Sequence, residues 1–194
     1  MTFEAQQNVL AITDAYIAKV TANTSTTYTK GDKIKLPDLS SLEITVTSEK
    51  KEAKAGLKIA DSFTMKTGYD VKFEEVNIPL DVLAIINGAE LKTSGTTGKQ
   101  IAEVLETEKQ VPVMFNLEIK SDLLNGQAAD IHMEMFCVKG LMDVVTTADD
   151  YWTVSFEGTA FTRKKDGAFR RIFANEENTE IVPATPSVEE NPTE

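Results

Sequence analysis

Two-residue alternation most narrows what this chain can fold into. In "SLEITVT" (Ser41 to Thr47), Leu42, Ile44 and Val46 alternate with Glu43, Thr45 and Thr47. Successive side chains of a strand point to opposite faces, so such a segment buries one face and wets the other. The same rhythm runs through "VPVMFNLEIK" (Val111 to Lys120), where Val113, Phe115, Leu117 and Ile119 alternate with Met114, Asn116, Glu118 and Lys120. It returns where Ile131, Met133, Met135 and Cys137 alternate with His132, Glu134, Phe136 and Val138. Shorter examples are Tyr16 to Val20, Tyr69 to Phe73, Trp152 to Phe156 and Phe169 to Phe173. The pattern predicts an antiparallel β-sandwich or partial barrel.

Between these segments the punctuation is that of turns. Thr21 to Asp38 is polar with Gly31 and Pro37, and is expected to be loop. "SEKKEAKAG" (Ser48 to Gly56) is charged and has no apolar face, while Leu57, Ile59, Phe63 and Met65 resume beyond it. Asn125-Gly126 and Asp166-Gly167 are hairpin-turn signals. "KTSGTTGKQ" (Lys92 to Gln100) is expected to be loop, and Ile101 to Gln110 fits either a short helix or irregular structure. One helix is expected in "VNIPLDVLAIING". Pro79 suits its first turn, Asp81 the positive end of its dipole, and Gly88 a left-handed stop. It is apolar nearly all round, which raises the question of what its second face meets.

A formal net charge of -11 argues against a binder of phosphate backbones or of anionic membrane. No stretch approaches the roughly 18 apolar residues of a spanning helix. The N-terminus lacks a basic n-region, and Cys137 is the sole cysteine, so a cytoplasmic site of folding is expected. The expected organisation is one β domain over residues 1–174 and a flexible acidic tail over 175–194, where Pro, Thr and Glu leave little to bury.

Catalytic patterns are weak. "GTTGK" (Gly95 to Lys99) has two residues between its glycines, not the four of a phosphate-binding loop, and Gln100 follows the Lys. His132 and Cys137, the only His and Cys, fall on opposite faces of one regular strand, which predicts an exposed or channel-facing His and a buried Cys. The acid pairs Glu74-Glu75, Asp149-Asp150, Glu176-Glu177 and Glu189-Glu190 fit a solvated surface. We expect no catalytic residue, cofactor or metal, and so a structural protein rather than an enzyme.

The order of features resembles the major tail protein, or tail tube protein, of long-tailed bacteriophages. The resemblance rests on "DAYIAKV" (Asp14 to Val20), then "YTKGDKIKLPDLSSLEITVT" (Tyr28 to Thr47) and a charged hairpin arm. A strand pair, the short helix ending at Gly88 and a Gly-rich loop follow, then "VPVMFNLEIK" and "FTRKKDGAFRRIF" (Phe161 to Phe173). It covers most of the chain from Asp14 to about Phe173, by element order rather than by any diagnostic motif. It implies a virion protein, assembled in the host cytoplasm, whose sixfold rings stack into a tube. A sheet from each subunit joins its neighbours' into a continuous barrel. The implied partners are other copies, a tape-measure protein, and tail-terminator and tail-tip proteins. DNA passes without specific binding, and no membrane is involved.

On that analogy the polar residues of four strands should face the channel: Glu43, Thr45, Lys58, Ser62, Asn116, Glu118, Lys120, Asp130, His132 and Glu134. Lys50, Lys51, Glu52 and Lys54 should form an arm that reaches the next ring. Leu80, Leu83, Ala84 and Asn87 should pack the helix on its own sheet, leaving Val82, Ile85 and Ile86 for a neighbouring subunit, unless the helix is wedged against the segment from Leu91 to Gln110. The tail should lie outside the tube. The alternative is a soluble β-sandwich binding module, adhesin-like or carbohydrate-binding. Such a module exposes an aromatic platform, and Trp152 instead alternates with Val154 and Phe156 as a core residue would.

Overall fold

The computed structural model describes residues 9–55, 58–77, 79–123, 130–146 and 152–175. Ten strands and one helix follow in order: β1 (Val9–Asn23), β2 (Tyr28–Leu36), β3 (Leu39–Ala55), β4 (Lys58–Glu75), α1 (Leu80–Asn87), β5 (Glu90–Ser94), β6 (Ile101–Leu105), β7 (Phe115–Leu123), β8 (Asp130–Val145), β9 (Thr153–Phe161) and β10 (Arg170–Asn175). All pairings are antiparallel. The main sheet runs β2-β1-β7-β8-β9-β4-β3, with β10 also on β8.

The long strand β8 changes partners along its length. Its first half pairs with β7 on one side and β10 on the other. Its second half pairs with β9. The result is two leaves sharing one strand: β2-β1-β7-β8-β10 and β8-β9-β4-β3. Their inner faces make one core. Ala15, Ile17, Leu117, Ile119 and Met135 meet Val71, Phe73, Val154 and Phe156 there. Phe156 stacks on Phe73 at 4.7 Å and takes the edge of Phe115 at 5.3 Å. Each fully buried ring stabilises by about 2–3 kcal/mol.

Two loop expectations are corrected. Residues 28–36 are strand β2, because Ile34 and Leu36 alternate with Lys33 and Lys35 and fill the edge of the core. Residues 90–105 form the small β5–β6 hairpin, turned at Gly95 and Gly98, whose φ values are 98° and 85°. It is exposed except for Val104, which is why no burial pattern marked it. Asp166-Gly167 does turn the chain, but not into a hairpin. β9 and β10 both run antiparallel to β8, end to end, so residues 162–169 are an excursion in one interrupted strand.

Of the two neighbours expected for the helix, the segment from Leu91 to Gln110 is the one it packs against within the chain. Val82 and Ile86 are fully buried within the chain, and Leu83, Ala84 and Asn87 are buried with them. Leu80 is exposed and Ile85 only half-buried. The proposed inter-subunit face of Val82, Ile85 and Ile86 is therefore reduced to Ile85, because α1 is wedged between β8 and the β5–β6 hairpin. Gly88 stops it in the left-handed region at φ 70°, and a Cβ there would sit 2.4 Å from the Val111 carbonyl. Asn87 then does what a neighbouring strand would. Its amide donates to Met142 O and accepts from Met142 N, both at 2.9 Å, and so covers the free edge of β8.

Beyond Thr47 and Gly68 the β3–β4 pair continues without other partners among the described residues, as a two-stranded ribbon. Asn175, expected to begin the tail, is paired in β10, and its amide donates to Asp130 Oδ1 at 2.7 Å. The tail beyond it lies outside the described residues.

Candidate functional site

The outer face of the β2-β1-β7-β8-β10 leaf is built around a bulge. Leu117 pairs with Met135 but Phe115 with Val138, so Phe136 and Cys137 together oppose Asn116. A bulge leaves backbone groups without ladder partners. Asn116 and Tyr28 supply them: Asn116 Nδ2 donates to Met135 O at 3.1 Å, and Tyr28 Oη donates to Phe136 O. Burial raises the Tyr28 phenol above its ordinary pKa.

Beside the bulge lies a lattice of ion pairs that spans the leaf. Lys30 Nζ reaches Glu118 at 2.5 Å and Glu134 at 2.7 Å, and Lys33 Nζ reaches Glu118 at 2.6 Å. Arg171 reaches Glu134 from β10 at 3.0 Å. Burial alone would lower Lys30, but its hydrogen bonds to the two carboxylates outweigh that and raise it. Burial would likewise raise Glu118, but Lys30 and Lys33 hold it below the usual range. Further along, Asp130 Oδ2 lies 3.2 Å from His132 Nε2 and 3.9 Å from Lys120 Nζ, and Phe173 stacks on the His132 ring at 4.9 Å.

The ten expected channel residues therefore do not share one wall. Asn116, Glu118, Lys120, Asp130, His132 and Glu134 share the outer face of this leaf. They are mostly covered rather than open, because their side chains bond one another and their neighbours across five strands. Glu43 and Thr45 are exposed on the outer face of the other leaf, and Ser62 is exposed on the ribbon. The Lys58 side chain falls outside the described residues. The cause is the division into leaves: Glu43 and Thr45 belong to β3 of the second leaf and Ser62 to the ribbon beyond it. Along β8 itself the bulge switches the core-facing residues from odd-numbered up to Met135 to even-numbered from Val138 onward. His132 is likewise not exposed. The bulge turns Cys137 toward the side His132 faces, but five residues along the strand put about 16 Å between them. Burial pushes the Cys137 thiol up to about 11, unsuited to a nucleophile.

On the ribbon, Lys50, Lys51 and Glu52 are exposed, with Lys50 paired to Glu52 at 2.8 Å. The Lys54 side chain falls outside the described residues. Lys51 lies opposite Phe63, which is 52% exposed, and Glu49 opposite Met65. Trp152 is 59% exposed at the head of β9, against the expectation of a core residue, because pairing with β8 begins only at Thr153.

Glu75 also departs from expectation. The Glu74-Glu75 pair fits a solvated surface by sequence, yet Glu75 is fully buried at the end of β4. Its Oε1 accepts from the Asp38 N–H at 3.3 Å, and its Oε2 has no partner among the described residues. Burial pushes it up to about 7. The sequence reading also missed Tyr28, Lys30, Lys33, Arg163 and Arg171. The alternation of Lys33 and Lys35 with Ile34 and Leu36 was the available signal.

No protein-family model matches the chain, and no curated protein matches it. Among the described residues no three His, Cys, Asp or Glu side chains group as metal ligands. Among the described residues no helix is long and apolar enough to cross a membrane. The arrangement is a charge-paired sheet face flanked by β2 and β10, each of which pairs on one side only among the described residues.

Proposed function

We propose that this chain is a self-assembling structural subunit, and that its β2-β1-β7-β8-β10 leaf joins copy to copy into a closed barrel, as in the wall of a phage-type tail tube. One observation carries the reading. Among the described residues the two strands that flank this leaf, β2 and β10, each pair on one side only. Free edges on both sides are what lateral extension needs, and ring closure removes the hazard they pose. The other leaf is less suited, since Asn87 covers part of its β8 edge.

The ion-pair lattice supports the same reading. A channel wall whose cations are already committed to Glu118, Glu134 and Asp130 has little left to grip phosphates. The expected lining is then Asn116, Glu118, Lys120, Asp130, His132 and Glu134, without Glu43, Thr45 and Ser62. The ribbon, with Phe63 and Met65 exposed, would reach a neighbouring ring. A tape-measure protein, terminator and tip proteins remain partners by resemblance alone.

The test is cross-linking with microscopy. Asp32→Cys on β2 and Ile172→Cys on β10, combined in one chain, should give an oxidised ladder that ends at a closed ring, with tubes in negative stain. Compact single particles and no ladder would overturn the reading. Deleting residues 50–55 should leave the monomer folded and shorten the tubes. The exposed Trp152 favours one other reading, a soluble binding module. Glycan binding that is lost in Trp152→Ala, by a chain that never assembles, would select it.

A further inference from the structure

The segment "RKKDGAFRR" (Arg163 to Arg171) holds five cationic side chains in nine residues of a chain whose net charge is -11. Two are spent locally. Arg163 pairs with Asp166 and lies over the Phe136 ring at 3.8 Å, and Arg171 bonds Glu134. The others form no ion pair within 4 Å among the described residues, although Lys165 acts on Asp166 at longer range. Lys164 and Lys165 are exposed on the excursion between β9 and β10. Arg170 lies 4.6 Å from the centre of the buried Tyr69 ring, and Lys66, at the base of the ribbon, lies 5.0 Å from the same centre. Lys66 Nζ also donates to Tyr69 Oη at 2.8 Å, and neither cation has an ion-pair partner among the described residues, so an acidic surface can meet both.

The same chain carries an acidic surface. On the outer face of the β8-β9-β4-β3 leaf, Glu43, Glu74, Asp143 and Glu157 line an open cleft of about 310 Å³ with Lys72 as its cation. We propose that Lys164, Lys165, Arg170 and Lys66 of one copy dock on this acidic face of another. The contact rests on the self-assembly reading and adds to edge pairing a heterologous interface, one that propagates because the two patches differ. It also moves the electrostatic contact from the ribbon tip, where Lys50 is paired to Glu52, to the ribbon base. A nucleic-acid partner fits less well, since the rest of the molecule repels phosphates.

Charge exchange tests this on the full chain. Lys164→Glu with Lys165→Glu should lower the sedimentable assembled fraction at least tenfold at low salt, and Glu74→Lys with Glu157→Lys should do the same. Mixing the two variants should restore assembly, as only unlike copies then match. Unchanged assembly of either variant, or no recovery in the mixture, overturns the proposal. So does binding of a duplex DNA oligonucleotide that the lysine reversals abolish. Wild-type chain that never assembles overturns the self-assembly reading instead, a separate outcome. Circular dichroism of each variant confirms that it is folded.

Discussion

Glu118 and Glu75 are both carboxylates largely withdrawn from water, and their surroundings treat them oppositely. Glu118 lies between two lysines of β2, which hold its pKa below the usual range despite burial. Glu75 meets one backbone N–H and two carboxylates, Asp38 and Asp81, and burial lifts it to about 7. Their positions differ, Glu75 at the end of β4 and Glu118 within β7, but position does not set the sign of the shift. What separates them is whether a cation stands on the neighbouring strand, and that decides whether a buried acid ties the fold together or strains it.

The largest effect should come from breaking the satisfied region. Glu134→Ala leaves Lys30 and Arg171 each without one acceptor, and removes an acceptor of the Asn116 amide. Removing one partner of a buried charge network costs about 3–5 kcal/mol. Urea unfolding at pH 7 should read a loss of that size. A loss below about 1 kcal/mol would mean the lattice behaves as exposed pairs do.

The unsatisfied region should respond with the opposite sign. A carboxyl whose folded pKa lies above its unfolded value of 4.5 costs nothing below that pH. Its penalty grows as pH rises from about 4.5 to 7 and then levels off. Glu75→Gln should therefore stabilise the protein above pH 7, by about 3 kcal/mol at most for a shift of this size. The gain should vanish below pH 4.5. Glu118 works the other way: its stabilisation is present above 4.5 and is lost as pH falls through its lowered pKa. The wild-type stability should thus peak between the two ranges, and denaturation from pH 3 to 9 reads both slopes.

The difference between the two acids was partly legible in the sequence. Tyr69, Val71, Phe73 and Glu75 share one parity, so strict alternation already put Glu75 on the core face. Adjacency to Glu74 suggests an exposed acid pair, and the period of two overrides it. The sandwich class, most strand positions, the helix and its Gly88 stop were all readable from periodicity and turn residues. The lattice was not. Its two lysines belong to β2, where only Lys33 to Leu36 shows alternation within an otherwise polar stretch. The Phe136–Cys137 bulge, which reverses which side of β8 faces the core, leaves no compositional mark. Pairing across strands far apart in sequence decides which charges meet, and a single chain's sequence does not state it.

Asn116→Ala should have an intermediate effect. Its amide serves the bulge carbonyl of Met135 and the Glu134 carboxylate, so its loss removes a bond from two buried acceptors at the point where β8 reverses its faces. A buried group left unbonded costs about 1–3 kcal/mol. The expectation is a destabilisation in that range with the ion pairs intact, and Asn116→Gln should not rescue it, because one more methylene displaces the amide from Met135 O. Full rescue by Gln would show that any amide suffices and that the bulge is not held at a fixed geometry.

The smallest effect sharpens the comparison by acting as its outer limit. Lys72 and Glu157 pair at 2.8 Å across β4 and β9, closer than Arg171 and Glu134, but with side chains 52% and 75% exposed. Distance alone would rank this pair above the Arg171 contact; burial ranks it below. In water the attraction is screened and two long side chains lose freedom to hold one geometry, so the net contribution is small. Lys72→Ala should leave the unfolding midpoint unchanged within error at physiological salt, whereas Arg171→Ala should lower it measurably, since the Glu134 it serves has only 9% of its side chain exposed. Equal shifts for the two alanine variants would mean that the coverage of Glu134, not merely its bond lengths, has been misjudged, and the contrast between the satisfied lattice and the open acidic face would collapse.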